Sequence, residues 1–174
     1  MINQVMDKVI EEINKKLKYL QINFDDTSWR KDIPSESGWY MIMTNTPLEI
    51  LSSVGPPSHI AHINIPKTIA GASELCDAEI AILPQLRDQD YVVYNREAKN
   101  LTARAGEHEN GHAKTYCLGL SNYKSLRGYR WAFCYFAASS CMTLTSKEKN
   151  NKLLRLAIEQ GWRTYNGWPI LCKK

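Results

Sequence analysis

Five consecutive residues, His108 to His112, have the letters of the zinc-binding pattern H-E-x-x-H. In that pattern two histidines four residues apart hold a zinc ion from one face of a helix, and the glutamate is the general base for a zinc-bound water. Here Asn110 and Gly111 separate the histidines, and Asn-Gly is a strong turn signal. We therefore expect the helix to end near Glu109 and His112 to leave its face. A zinc metallopeptidase built on His108 and His112 is the third of our functional hypotheses.

Three segments rich in aromatic and long apolar residues predict the strands that would position such side chains. They are residues 38–44 (GWYMIMT), 90–95 (DYVVYN) and 129–139 (YRWAFCYFAAS). The last segment is almost uncharged, so we expect it to be buried on both faces. A further strand is predicted near Ile60–Ile65, inside a segment interrupted by several prolines.

Helical periodicity is clearest near the two ends of the chain. Apolar residues recur at helical spacing over residues 2–20, and residues 146–164 predict a second long helix that Ser146 can cap. Between them, Asn100 is a good N-cap for a short helix. Arg104 and His108 are four residues apart and therefore share one face of that short helix.

The segment VVYNREAKNLTARAGEH, residues 92–108, resembles the second half of the signature of the GIY-YIG nucleases. In that superfamily a strand ends in Tyr-Ile-Gly, a loop carries Asn-Leu, and the following helix carries an arginine, commonly with a histidine one turn later. Tyr94, Asn100, Arg104 and His108 match those places. The first half, Gly-Ile-Tyr, is matched by GWY at residues 38–40.

The last helix resembles the glutamate-bearing helix of the same superfamily. Glu159, Trp162, Asn166 and Pro169 match its pattern, although here the asparagine precedes the proline. Two further departures are the triplet at Tyr94, which keeps only its tyrosine, and the long separation of the first two strands. Glu148 opens the same predicted helix and is the alternative carboxylate.

The resemblance implies an α+β fold with a small antiparallel three-stranded sheet flanked by helices. We assign residues 1–174 to a single domain of this kind, with an N-terminal helical extension at 1–34 and an insertion at 46–89. The N-terminal helix is explained by packing or, alternatively, by dimerisation. The insertion is a structural lobe or a DNA-recognition clamp, and its basic residues are His59, His62, Lys67 and Arg87.

The resemblance also implies an activity, the metal-dependent hydrolysis of DNA phosphodiester bonds. Glu159 is the expected ligand of Mg²⁺ or Mn²⁺, because magnesium keeps several waters and suits a lone carboxylate. Arg104 would bind the scissile phosphate as a permanently charged fork. Tyr40 is assigned as the general base and Tyr94 as a group that positions water or phosphate. His108 would contact phosphate or relay a proton.

Each of these residues also has a structural explanation. Tyr40 and Tyr94 are residue types that commonly fill the core beside a strand, and Glu159 is spaced to pair with Arg155 on a helix. The second hypothesis is accordingly a catalytically silent nucleic-acid-binding module on the same fold. The first remains an endonuclease of restriction or defence type, which would be a homodimer if its target is palindromic.

Composition and charge are compatible with DNA as a partner without requiring it. The net charge is +4 and the pI is near 8.7. An odd number of cysteines without C-x-x-C spacing, and an N-terminus unlike a signal peptide, favour reduced thiols and a cytoplasmic location. No segment approaches the roughly 20 apolar residues of a membrane span. Basic residues that would bind backbone phosphates, or form a solvated face, are Arg96, Lys99, Lys114, Lys124, Arg127 and Arg130.

Overall fold

Four strands form one antiparallel sheet in the computed structural model, which describes residues 2–72 and 89–172. They are β1 (Lys18–Gln21), β2 (Gly38–Thr44), β3 (Tyr91–Ala98) and β4 (Trp131–Ala137). Their order across the sheet is β1-β4-β2-β3. The α+β class is confirmed, whereas the predicted number of three strands is wrong.

The additional strand comes from residues that we predicted to be helical. The N-terminal helix, α1 (Ile2–Lys16), stops before Lys18, and β1 pairs antiparallel with β4, with Lys18 opposite Tyr135. Without β1, β4 would be an exposed edge strand with unpaired backbone groups. Leu17 and Leu20 continue the helical spacing of α1, so periodicity alone could not locate the change to strand.

The two faces of the sheet are buried by different parts of the chain. Alternate residues of β2 and β4 point to opposite sides of the sheet, and nearly all of them are buried. Both strands are therefore covered on both faces, as predicted for the strand within residues 129–139. One face, which includes Trp39 and Met41, packs against α1 and the last helix. The opposite face, which includes Tyr40 and Phe133, packs against a central helix, the insertion and the C-terminal tail.

The central helix α4 (Leu101–Asn110) is capped by the Asn100 side chain, as predicted. The insertion contributes α2 (Leu48–Ser53) and α3 (Ile65–Ala70). The strand predicted near Ile60–Ile65 is wrong. Ile60 is 97% exposed, and the Asn64 side chain caps α3, in whose first turn a proline favours helix initiation.

The predicted C-terminal helix is two helices, α5 (Ser146–Asn150) and α6 (Lys152–Asn166). Asn151 interrupts the pattern because its backbone is extended and its side chain accepts hydrogen bonds from the first turn of α6. Thr145, not Ser146, caps α5, and Glu148 completes that capping box. None of the helices in the described part of the chain combines the length and apolar character needed to cross a membrane. Arg87, with residues 73–88 of the insertion, lies outside the described residues.

Candidate functional site

The Gly-x-Tyr sequence of β2 begins at Gly38, where the neighbouring atoms leave no room for a side chain. A Cβ at Gly38 would lie 2.4 Å from the carbonyl oxygen of Phe136 and 2.9 Å from a methyl carbon of Leu101. Glycine is therefore required for β2 to approach both β4 and the start of α4. This close approach brings α4 over the face of the sheet that carries Tyr40.

Tyr40, Arg104 and His108 form one hydrogen-bonded cluster. The Tyr40 hydroxyl oxygen lies 3.0 Å from His108 Nε2 and accepts from Arg104 Nε at 3.2 Å and Arg104 Nη2 at 3.1 Å. Arg104 also donates to the carbonyl of Tyr116 at 2.9 Å and pairs with Glu107. The predicted sharing of one helix face by Arg104 and His108 thus places both side chains on the same phenol.

Two contacts of His108 bear on which of its nitrogens carries the proton. The backbone N–H of Leu118 donates to Nδ1 at 3.3 Å, which favours the tautomer with its proton on Nε2. Nε2 also lies 3.2 Å from Arg104 Nη2, which can only donate, so the opposite tautomer accepts from Arg104 and from the Tyr40 hydroxyl. Arg104 donates to the Tyr40 oxygen in either tautomer, so the cluster can stabilise negative charge on that oxygen.

Burial acts against that charge in the free protein. Tyr40 is fully enclosed, and this burial raises the pKa of its hydroxyl well above the ordinary value, although Arg104 acts in the opposite direction. Burial, together with the positive charge of Arg104, holds the pKa of His108 well below its usual range. His108 is consequently a neutral imidazole at pH 7.

Tyr94 connects this cluster to an open cleft. Its ring lies 4.9 Å from the His108 ring and 6.2 Å from the Tyr40 ring, measured between centroids. A bulge in β3 at Val93, next to Tyr94, shifts the pairing with β2. Arg96 stands directly opposite Tyr40 in the sheet and donates to the Tyr94 hydroxyl at 3.4 Å. Burial raises the pKa of Tyr94, and the charge of Arg96 opposes this increase.

The cleft lies between β3 and α6 and has a volume of about 370 Å³. We call it the Glu159 cleft. Its polar walls are two guanidinium groups, one carboxylate and two phenols, and its lining residues are Tyr94, Arg96, Tyr116, Leu156, Glu159, Gln160, Arg163 and Cys172. Tyr94 and Glu159 are thus brought together as predicted. Tyr40, Arg104 and His108 do not line this cleft and lie behind Tyr94.

Glu159 is held at the outer edge of the sheet. Its Oε2 accepts from the backbone N–H of Glu97 at 2.8 Å, and its Oε1 pairs with Arg163 at 2.7 Å. Arg163 also donates to the side-chain and backbone oxygens of Asn95. Burial raises the pKa of Glu159, and the charge of Arg163 opposes this. The predicted partner, Arg155, pairs with Glu97 instead, at 3.0 Å.

The alternative carboxylate, Glu148, is outside the cleft. Its side chain accepts from the backbone N–H of Thr145 and from the Thr145 hydroxyl, at 2.8 and 2.7 Å, at the start of α5. These bonds lower the pKa of Glu148. Glu148 therefore has a complete structural role as a capping residue, and Glu159 is the carboxylate that lines the cleft.

The H-E-x-x-H letters have a structural explanation. α4 ends at Asn110, and Gly111 has a positive φ of 86°, so His112 leaves the helix as predicted. Glu109 is buried and pairs with Arg30 at 3.1 Å, which ties the N-terminal segment to α4. Within residues 2–72 and 89–172, no three His, Cys, Asp or Glu side chains converge on a common metal position.

The predicted basic residues separate into two kinds. Arg127 and Arg130 form ion pairs with Asp25 and Asp90, at 3.5 and 3.2 Å. Exposed ammonium groups are found at Lys99, Lys114 and Lys124. In the insertion, His62 is buried and accepts from the backbone N–H of His112, while His59 and Lys67 are exposed.

Six cleft residues were not assigned to the catalytic site from the sequence, namely Arg96, Tyr116, Leu156, Gln160, Arg163 and Cys172. Of these, Arg96 was predicted only to bind backbone phosphates or to lie on a solvated face. Arg96 had a usable signal, because residues two apart in a strand share a face and Arg96 follows Tyr94 by two. Arg163 is one helical turn after Glu159, but many such pairs are surface ion pairs. Tyr116 lies in an irregular connection whose course has no sequence signature. Comparison of the chain with protein-family models, with curated proteins and with solved structures gives no significant match.

Proposed function

We propose that the protein is a metal-dependent endonuclease that hydrolyses DNA phosphodiester bonds, with a site of the GIY-YIG kind. The observation that carries the proposal is the convergence of three nitrogens, two of Arg104 and one of His108, on the Tyr40 oxygen beside a cleft that holds a carboxylate. A tyrosine with only a structural role needs one hydrogen-bond partner for its hydroxyl. It does not need an arginine that donates to the same oxygen. The arrangement suits proton removal from a water that attacks an anionic group.

The cationic groups favour a phosphate as that anionic group. Arg96 on β3 is exposed and lines the Glu159 cleft, and Arg163 on α6 lines the same cleft. Arg104 is half-buried, and its guanidinium is shared between Tyr40, Glu107 and the Tyr116 carbonyl. In our proposal Arg104 turns toward the phosphate when DNA binds. This movement exposes the Tyr40 hydroxyl, which is enclosed in the free protein.

Once exposed, the Tyr40 hydroxyl loses its own proton to solvent, and the resulting phenolate accepts the proton of the attacking water. Negative charge on the phenolate is stabilised by His108 Nε2–H, which faces that oxygen, and by the nearby positive charge of Arg104. Tyr94 lines the cleft and positions the water or the phosphate through its hydroxyl. His108 remains neutral throughout, because burial and the nearby arginines disfavour its cationic form.

Glu159 fits the role of magnesium or manganese ligand. Its oxygens accept from Arg163, from the Gln160 amide and from the backbone N–H of Glu97, and a carboxylate offers about four acceptor positions in all, so one position remains for a metal ion. Mg²⁺ is commonly held by one or two carboxylates together with waters and substrate phosphate oxygens. A bound divalent ion would neutralise charge that develops on the phosphate and the leaving oxygen.

Nicking of a supercoiled plasmid tests this proposal. We expect relaxation by the wild-type protein in Mg²⁺ or Mn²⁺ and none in EDTA. Glu159→Gln keeps the shape of the side chain and should lower the rate at least about a hundredfold, as expected when a metal ligand is lost. Glu148→Gln is the matched control and should retain activity, because Glu148 caps α5. Equal rates for wild type and Glu159→Gln would contradict the proposal.

The alternative is a silent nucleic-acid-binding module on the same fold. The observation that favours it is the complete burial of Tyr40 in the free protein. Binding of DNA without metal-dependent cleavage would support this alternative. A restriction or defence role, and a homodimer matched to a palindromic site, extend the first proposal and would be tested by cleavage-pattern mapping and by the mass of the particle in solution.

A further inference from the structure

A second cleft continues the seam between β3 and α6 beyond Glu97. It has a volume of about 550 Å³, and we call it the Lys99 cleft. Its charged walls are formed by Glu36, Glu97, Lys99, Lys152 and Arg155. Glu97 joins the two clefts, because its backbone N–H contacts Glu159 while its side chain lines the Lys99 cleft.

The carboxylates of the Lys99 cleft are engaged, whereas its lysines are not. Arg155 neutralises Glu97 at 3.0 Å. The Glu36 carboxylate accepts from the backbone N–H and the hydroxyl of Ser139, at 3.2 and 2.8 Å. Lys99 and Lys152 are exposed, and neither forms an ion pair with any residue in 2–72 or 89–172. The cleft therefore presents two unpaired ammonium groups to solvent.

The two clefts are close enough to contact one nucleic-acid strand. Lys152 precedes Glu159 by seven residues of α6, or about 10 Å at 1.5 Å per residue. Lys99 follows Arg96 by three residues, just beyond the end of β3. An offset of about 10 Å places the Lys99 cleft within reach of phosphates near the scissile one on the same strand.

We propose that the Lys99 cleft binds backbone phosphates of the same DNA strand whose scissile phosphate occupies the Glu159 cleft. The proposal rests on the proposed nuclease function for its choice of ligand. Lys99 and Lys152 act as point charges that hold the strand at phosphates close to the cleavage position. They increase affinity and fix the path of the strand without contacting the reacting atoms.

The test measures binding separately from cleavage. Fluorescence anisotropy of a labelled 20-base-pair duplex in EDTA gives the dissociation constant at several salt concentrations. The double variant Lys99→Gln/Lys152→Gln should weaken binding by about tenfold or more at 0.1 M salt. It should also reduce the steepness of log K against log[salt] by about 1.8, since each neutralised phosphate contributes about 0.9. Lys8→Gln/Lys31→Gln, at two exposed lysines outside the predicted phosphate-binding set, is the control with the same change of charge.

Equal binding by the two double variants would overturn the proposal, as would the failure of the wild-type protein to bind the duplex. Plasmid nicking in Mg²⁺ by the same proteins separates this result from the proposed function. If the cleft is wrong and the nuclease right, the Lys99→Gln/Lys152→Gln protein binds like the control while cleavage persists. If cleavage is absent in all proteins but binding weakens only in that variant, the cleft is supported and the nuclease is not.

Discussion

Replacement of Tyr40 by phenylalanine removes one oxygen from the centre of the hydrogen-bonded cluster. The ring, which stacks on Phe133 with centroids 5.1 Å apart, is retained, so no cavity larger than the oxygen is left. Arg104 loses two contacts and His108 loses one. Arg104 keeps its bonds to Glu107 and to the Tyr116 carbonyl, and is therefore not left as an isolated buried charge.

The cost follows from the charge of the donors. A hydrogen bond to a charged group contributes about 1.5–3 kcal/mol and a neutral one about 0.5–1.5 kcal/mol. We expect Tyr40→Phe to lower the free energy of unfolding by about 2–3 kcal/mol, or the melting temperature by about 4–12 °C for a chain of 174 residues. Tyr94→Phe should cost less than about 1 kcal/mol, because the Tyr94 hydroxyl accepts only a 3.4 Å bond from Arg96.

Urea unfolding followed by the fluorescence of the five tryptophans measures both free energies. The slope of the free energy with urea should be unchanged in both variants, since the surface exposed on unfolding is the same. Tyr135→Phe is a matched control, because Tyr135 lies opposite Tyr40 in the sheet and donates to a backbone carbonyl at 3.3 Å. If Tyr40→Phe lowered the free energy of unfolding no more than the control does, the convergence of Arg104 and His108 nitrogens on the Tyr40 oxygen would be refuted.

Three further outcomes follow from the structure. The pKa of His108 is lowered in the folded protein, so the unfolded chain binds more protons below pH 6.5. The free energy of unfolding should therefore fall as pH decreases, by at most about 1.4 kcal/mol per pH unit. His108→Gln should flatten this dependence in unfolding experiments across pH 5–7. Glu109→Gln should cost about 2–3 kcal/mol in thermal unfolding because it breaks a largely buried ion pair, whereas His112→Ala should stay within about 0.5 kcal/mol. Gly38→Ala should cost at least about 1–3 kcal/mol, since its Cβ would meet the Phe136 carbonyl, and a variant as stable as wild type would exclude this contact.

The sequence predicted the site best where local patterns determine the structure. Asn100 caps α4, and the four-residue spacing of Arg104 and His108 places both side chains on Tyr40. The Asn-Gly pair ended the helix before His112, as its turn preference indicates. These predictions depend on neighbouring residues and on helix geometry, which are readable from one sequence.

Predictions that depend on tertiary pairing were less successful. Lys18–Gln21 form a strand only because β4 offers an unpaired edge, and no local pattern reveals that edge. Arg155 was the expected partner of Glu159, but Glu159 pairs with Arg163. Arg155 pairs instead with Glu97 of β3. Both corrections arise from contacts between residues far apart in the chain.

Two arginines that pair with glutamates of α4, Arg104 within the helix and Arg30 outside it, allow a direct test of whether Arg104 acts on a phosphate beside Tyr40. Arg104 and Arg30 each pair with a glutamate of that helix, and their side chains are 17% and 26% exposed. Initial rates of supercoiled-plasmid cleavage in Mg²⁺ should be compared for Arg104→Ala and Arg30→Ala at a temperature where both variants are folded. We expect Arg104→Ala to lose at least about a hundredfold in rate, as when a group that stabilises transition-state charge is removed, and Arg30→Ala to remain within a few-fold of wild type. Equal rates for the two variants, or an absence of metal-dependent cleavage by the wild-type protein, would contradict this account.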